Sequence, residues 1–300
     1  MNGLAIKMQI KYFRVHNRIE NTFFPRNLNL RYETFPFISC DSYALRCDLA
    51  FSRELTLEEL ELKLEGITSD SSIFIPTRFA GAIADYLTRR NLIISKIVLG
   101  DDDQSPHIGE IRNLAKVSKN LFGINVVQVN EHIYSIPIGL ESPSYRSGGR
   151  LKDYRKNPIN DSSKRALSFL VAWNASTNLL KREYASNVFR KTPDTYFAER
   201  RIPAQVVHKL MRKSLFVPCP AGNGLDTHRI WESLFLGSVP IILYEDNFAA
   251  LDGWPVLVVK SWQEVSELPR YKIEKLYQGI VWEPERVLEK SKEILKDIQL

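Results

Sequence analysis

Residues 215–243, LFVPCPAGNGLDTHRIWESLFLGSVPIIL, constrain the fold more than any other stretch. They read as buried strand, glycine-containing loop, helix, tight turn and second buried strand. Leu215, Phe216 and Val217 form an apolar run, and Pro218 and Pro220 end it, because proline cannot donate to a strand ladder. Asp226 or Thr227 is placed to cap a helix that carries Arg229 and Glu232 at i and i+3, on neighbouring positions of one face. Gly237 stops that helix, and 239–243 form the next strand. In open α/β sheets, ligands bind at the carboxyl ends of strands, and a helix N-terminus favours anions. The loop 221–225 and the helix start after it therefore read as a site for a phosphorylated ligand.

The rest of the chain reads as two α/β units. In the first, SIFIP at 72–76, KIVLG at 96–100 and NVVQV at 125–129 are short apolar strands separated by helical patterns. The charged stretch 56–66 reads as a surface helix, and KMQIKYFRV at 7–15 as a strand. A polar stretch at 141–165, rich in Ser, Gly and Pro, reads as a linker or loop. The second unit opens with the strand ALSFLVAW at 166–173 and continues with a helix over 178–190 and the 215–243 block. A strand at 255–260 and further helices follow. The boundary falls near 150, giving units of 1–150 and 151–300.

Phe216, Gly222, Gly224, Asp226, Arg229, Glu232, Gly237, Pro240 and Ile242 fill a pattern that resembles the nucleotide-sugar-binding core of exostosin-like glycosyltransferases, carbohydrate-active family 47 and its bacterial relatives. VLVVKSWQEV at 256–265 resembles a later segment of that family. YSIPIGLE at 134–141 resembles its hinge signature, and LFGIN at 121–125 an aromatic–small–x–Asn signature before it. The order fits over about two hundred residues, and the first ninety residues do not align. The resemblance implies a GT-B-like fold: two Rossmann-like domains facing each other across a cleft, acceptor side first, nucleotide-sugar side second, with a last helix crossing back. It implies transfer of a sugar, hexosyl or pentosyl, from a nucleoside-diphosphate donor, by analogy UDP, to a hydroxyl of a glycan or lipid-linked glycan. Transfer would proceed with inversion, assisted by a base, with no cofactor and no tightly held metal.

Each candidate residue has a chemical reason and a plainer reading. A guanidinium at Arg229 offers parallel donors to pyrophosphate and stabilises the charge that grows on the leaving diphosphate. Its alternative is a surface pair with Asp226. Glu232 can accept from ribose hydroxyls, or be an exposed helix carboxylate. Asn223, Gly224 and Asp226 complete the donor loop. His228 either donates to a phosphate or caps the helix. Of Lys181 and Arg182, Arg182 matches the basic residue that contacts the diphosphate, the alternative being solvated helix surface. Asp101, Asp102 and Asp103 follow the strand at 96–100 and admit three readings: turn-capping aspartates, a metal-binding Asp-x-Asp, or a family aspartate with Asp103 as acceptor-side base. His132 lies near the cleft as a lone histidine. Cys219 reads as a buried small residue, and Asn125 and Gly139 as structural, fixing a turn and the domain junction.

Composition narrows the classes. At 44% hydrophobic and 25% charged the chain reads as globular, with no apolar run of bilayer-spanning length and no signal peptide. Three cysteines fit neither a disulfide framework nor a zinc spacing, which points to a reducing cytoplasm. A net charge of +6 fits a basic surface, a phosphate-bearing substrate or peripheral contact with the inner face of a membrane. Nucleic acid is disfavoured, because no binding motif accompanies the charge. The amphipathic stretch at 285–300 packs on the core or, alternatively, touches membrane. Two rival functions remain. An NAD-type oxidoreductase lacks its strand–G-x-G-x-x-G–helix here. A non-catalytic nucleotide-sugar sensor or assembly protein would keep the same pocket.

Overall fold

The structure is a computed structural model and describes residues 3–23, 30–52, 54–102, 105–127, 130–145, 150–155, 164–280 and 283–299. Its described strands form two five-stranded sheets, each parallel throughout. The first runs in chain order: β1 (Leu49–Ala50), β2 (Ser72–Pro76), β3 (Ile94–Gly100), β4 (Ser118–Gly123), β5 (Ile133–Ser135). Helices α3 (Leu57–Leu64), α4 (Ala80–Arg89) and α5 (Ile108–Lys116) supply its crossovers. Thr56 starts α3 with a capping box, its hydroxyl on the Glu59 amide and the Glu59 carboxylate back on the Thr56 amide.

The second sheet holds β6 (Leu167–Val171), β7 (Thr195–Phe197), β8 (Ser214–Pro218), β9 (Val239–Leu243) and β10 (Leu257–Val259). Their order is β7-β6-β8-β9-β10. The chain runs outward from β6 to one side through α7 (Leu179–Phe189). It then returns through α8 (Ala204–Met211) and runs outward to the other side through α9 (His228–Leu236). The order reverses between β6 and β8, and that topological switch leaves a crevice at their carboxyl ends. Gly237 ends α9 in the left-handed region at φ 84°, where its missing Cβ avoids strain. The overall arrangement is the α/β one expected, two units that each carry a parallel sheet and border a common cleft.

A shared apolar core joins the units, running from Phe37, Ile38 and Tyr43 to Trp231, Phe235, Leu295 and Ile298. The terminal elements cross between them. Helix α1 (Gly3–Phe23) lies on α8, with Asn17 and Gln205 bonded side chain to side chain. Helix α12 (Pro284–Gln299) follows α10 (Gln263–Ser266) and α11 (Arg270–Gly279) and packs on α9 and on α2 (Cys40–Ala44). Ser291 Oγ donates to the Pro36 carbonyl at 2.7 Å, and Lys96 Nζ donates to the Ile298 carbonyl. The apolar side of α12 is thus spent on the core, which removes it as a membrane face.

Three expectations are corrected. The expected strand at 7–15 is part of α1: Ile6, Ile10 and Phe13 recur at helical spacing and pack against the shared core. The expected strand at 125–129 lies earlier, as β4, and the helix before it ends at Lys116. Asn125 instead turns the chain at φ 55°, and 128–129 lie outside the described residues. The expected linker at 141–165 carries helix α6 (Leu151–Tyr154), because Tyr154 is buried against His208, while 146–149 and 156–163 lie outside the described residues.

Candidate functional site

A cleft of about 310 Å³ opens at the switch point between β6 and β8. Ala172, Trp173 and Asn174, just past β6, form one wall. The loop 222–228, past β8, forms another, and Ile138 and Glu141 of the first unit face them. Of the expected donor residues, Arg182, Asn223, Gly224, Asp226, His228, Arg229 and Glu232 all line this cleft.

The first turn of α9 brings Arg229 and Glu232 together. Arg229 Nη1 lies 2.8 Å from Glu232 Oε2, and Nη2 donates to the Ala172 carbonyl at 2.9 Å. Glu232 is buried. Burial raises its pKa, but Arg229 beside it and His208 behind it outweigh that and hold the carboxyl below its ordinary value. His208 on α8 is buried too. Its Nδ1 lies 3.4 Å from Asp153 Oδ2, and its Nε2 lies 2.9 Å from the Tyr154 hydroxyl and 3.9 Å from Glu232. Burial lowers its pKa, and the two carboxylates overcome this and raise it. A chain Arg229–Glu232–His208–Asp153, buried at its two middle members, therefore fixes the Glu232 carboxylate at the cleft wall. A guanidinium carries more N–H groups than these two bonds use, so Arg229 keeps donors for a ligand.

The loop before α9 is fastened on both sides. Arg182 reaches across Gly222, donating from Nε to the Ala221 carbonyl at 3.3 Å and from Nη1 to the Asn174 carbonyl at 2.7 Å. A Cβ on Gly222 would stand 2.6 Å from Arg182 Nη2, so only glycine lets the guanidinium lie there. On the other side, the Asp226 amide donates to Asn125 Oδ1 at 2.8 Å. Its carboxylate accepts from the Ile138 amide and the Trp231 indole, each at 2.6 Å. Asp226 is buried, which pushes its pKa up to about 7 against the pull of those donors. His228 Nδ1 donates to the Gly139 carbonyl at 2.8 Å, leaving Nε2 for the cleft. Asn125 and Gly139 therefore sit at the junction of the units. Gly139 is at φ 69°, with the Ile38 carbonyl oxygen 2.1 Å from where a Cβ would be.

Other candidates lie elsewhere. Lys181 turns from the cleft to bond Asp246. Asp101 pairs with Arg31 at 2.5 Å, and Asp102 accepts from the Arg78 amide at 3.1 Å, so both serve the fold. Asp103 lies outside the described residues. His132 is exposed beside Glu131, away from the cleft lining. Cys219 is buried, and burial pushes its thiol up to about 12. Among the described residues no three His, Cys, Asp or Glu side chains converge as metal ligands, and no helix is long and apolar enough to cross a membrane.

Sequence reasoning missed Glu141, Trp173, Arg200, Arg201 and His208 in the lining. Glu141 closes the IPIGLE stretch, and Trp173 closes the β6 run, so both had a positional signal. His208 had none, because nothing in its neighbourhood separates it from any other core histidine. No known protein family matches the chain, and no curated protein matches it. Among solved structures it is similar to one described as "OtsA apo structure", at a TM-score of 0.42 and 12% identity. That match covers 81% of this chain and 72% of the other.

Proposed function

We propose that the protein is a glycosyltransferase that holds a nucleoside-diphosphate sugar in the β6–β8 cleft and passes the sugar to a hydroxyl. The observation that carries this reading is the pair Arg229 and Glu232, a partly exposed cation and a buried carboxylate one helical turn apart, at the switch-point crevice. Glu232 accepts from the ribose hydroxyls. Arg229, Arg182 and the start of α9 hold the diphosphate, and Arg200 and Arg201 add positive charge at the rim. As the glycosidic bond breaks, charge grows on the β-phosphate, and fixed cations stabilise that state more than the ground state. These cations do the work a metal would do, so transfer is metal-independent. The exostosin-like motif residues support UDP as the nucleotide and inversion at the anomeric carbon. The acceptor is a glycan or a lipid-linked glycan.

The base comes from the first unit. Asp103 holds that role by family resemblance, whereas Glu141 lines the same cleft as Arg229, which favours Glu141. Titration calorimetry with UDP and GDP tests donor binding. Turnover of Asp103→Asn and Glu141→Gln then assigns the base: its variant keeps donor affinity and loses turnover. Absence of nucleoside-diphosphate binding by the wild type would sink the reading.

A further inference from the structure

Helix α1 has two apolar faces. Ile6, Ile10 and Phe13 pack against the shared core, on the α8 side. Leu4, Met8, Tyr12 and Val15 recur at i+4, i+4 and i+3 on a second face, and each is more than half exposed. Lys7, Lys11 and Arg14 each stand one position before a member of that stripe, Arg18 follows one turn on, and all four are exposed. The helix thus carries parallel stripes of apolar and cationic side chains, and residues 3–18 contain no acid. Lys209 and Arg150 on neighbouring elements touch Phe13 and His16 and extend the positive charge.

We propose that α1 docks the protein on an anionic lipid bilayer. The helix lies flat in the interface, with Leu4, Met8, Tyr12 and Val15 at the acyl boundary and the four cations at the headgroup phosphates. Charge selects this occupant. A second copy would set one cationic stripe against another, whereas anionic headgroups neutralise it. Arg14 also donates to the Arg201 carbonyl at 3.0 Å, and Arg201 lines the cleft. Docking by α1 therefore holds the cleft rim close to the headgroups, where a lipid-linked acceptor arrives. That last step rests on the transferase reading; the docking does not.

The test is co-sedimentation of the full chain with phosphatidylcholine vesicles, with and without phosphatidylglycerol. Binding is expected only to the anionic vesicles, and to weaken as salt is raised. Lys7→Gln/Lys11→Gln should reduce partition about 25-fold, at about fivefold per cation. Leu4→Ser/Met8→Ser/Tyr12→Ser should abolish it while the chain stays folded by circular dichroism, since these side chains are more than half exposed in the free protein. Equal partition on both vesicles, or wild-type partition by the lysine variant, overturns the proposal. So does a dimer in vesicle-free buffer that the serine variant dissolves, because the stripe then covers a second copy. UDP binding by the same variants in vesicle-free buffer separates the two readings: loss of UDP binding in the wild type sinks the transferase and leaves the docking standing.

Discussion

Replacing Asp226 by asparagine should change how stability depends on pH, and the amount follows from the junction geometry. Both carboxyl oxygens face N–H donors, the Ile138 amide and the Trp231 indole. An asparagine amide has one acceptor, so its NH₂ must confront one of those donors. A stranded buried donor costs about 1–3 kcal/mol. Burial also raises the wild-type pKa from 3.8 to about 7. An acid raised in this way stabilises the fold fully below its unfolded value, and that contribution is lost as pH climbs through the folded value. About three pH units at ~1.4 kcal/mol each amount to about 4 kcal/mol, lost between pH 3.8 and about 7. The variant has no group to titrate there. It should be the less stable protein at the acid end of the window and equal or surpass the wild type above pH 7. His208, whose pKa the two neighbouring carboxylates raise, is common to both proteins and cancels in the difference. Urea unfolding of both across the window measures the gap. Parallel curves, or a gap that widens with pH, would refute the argument and mean that Asp226 is ionised throughout.

The other expectations concern the cleft. Arg229→Ala should cost about 10²-fold or more in turnover, as for loss of one donor to developing negative charge, read by steady-state kinetics. Glu232→Ala should weaken UDP binding by roughly 1–3 kcal/mol in calorimetry. Gly222→Ala should leave folding intact but displace the flexible Arg182 guanidinium, since the added Cβ would stand 2.6 Å from Nη2, and so lower UDP affinity. Turnover should persist in EDTA; loss that Mn²⁺ restores would assign a metal role, with the aspartate run at 101–103 the first place to look.

Much of the second unit was legible because its strands are buried on both faces and read as continuous apolar runs bounded by Pro and Gly, as in 215–218 and 239–243. The first ninety residues were harder. Helix α1 is rich in β-branched and aromatic residues, so residues 7–15 resemble a strand, and only packing on α8 decides for helix. The cleft residues of the 215–243 block were found because they follow one another along the chain. Glu141, Arg200 and His208 come from other elements, and no local pattern announces a contact set by the docking of α8 on α9 or of one unit on the other.

The motif residues also divide by physical role, which no motif states. In Gly222, Gly224, Asp226, Arg229 and Glu232 a reader of sequence sees one ligand-binding set. In the fold, Asp226 spends both oxygens on the first unit's amide and on Trp231, so it positions rather than binds. Gly222 is kept free of a side chain for Arg182, which sits in α7 after a different strand. Arg229 and Glu232 pair with each other at the cleft wall, the carboxylate backed by His208. The loop proposed to hold the donor is therefore the loop that pins one unit to the other through Asn125, Ile138 and Gly139. A change at the junction should shift Arg229 and Glu232, because Asp226 directly precedes the N-cap Thr227 of the helix that carries them and His228 opens it. Donor affinity in Asn125→Ala, a residue outside the cleft lining, is the direct measure of that coupling: it should fall with the loss of the Asp226 amide bond, and wild-type affinity would show that α9 holds its position without the junction.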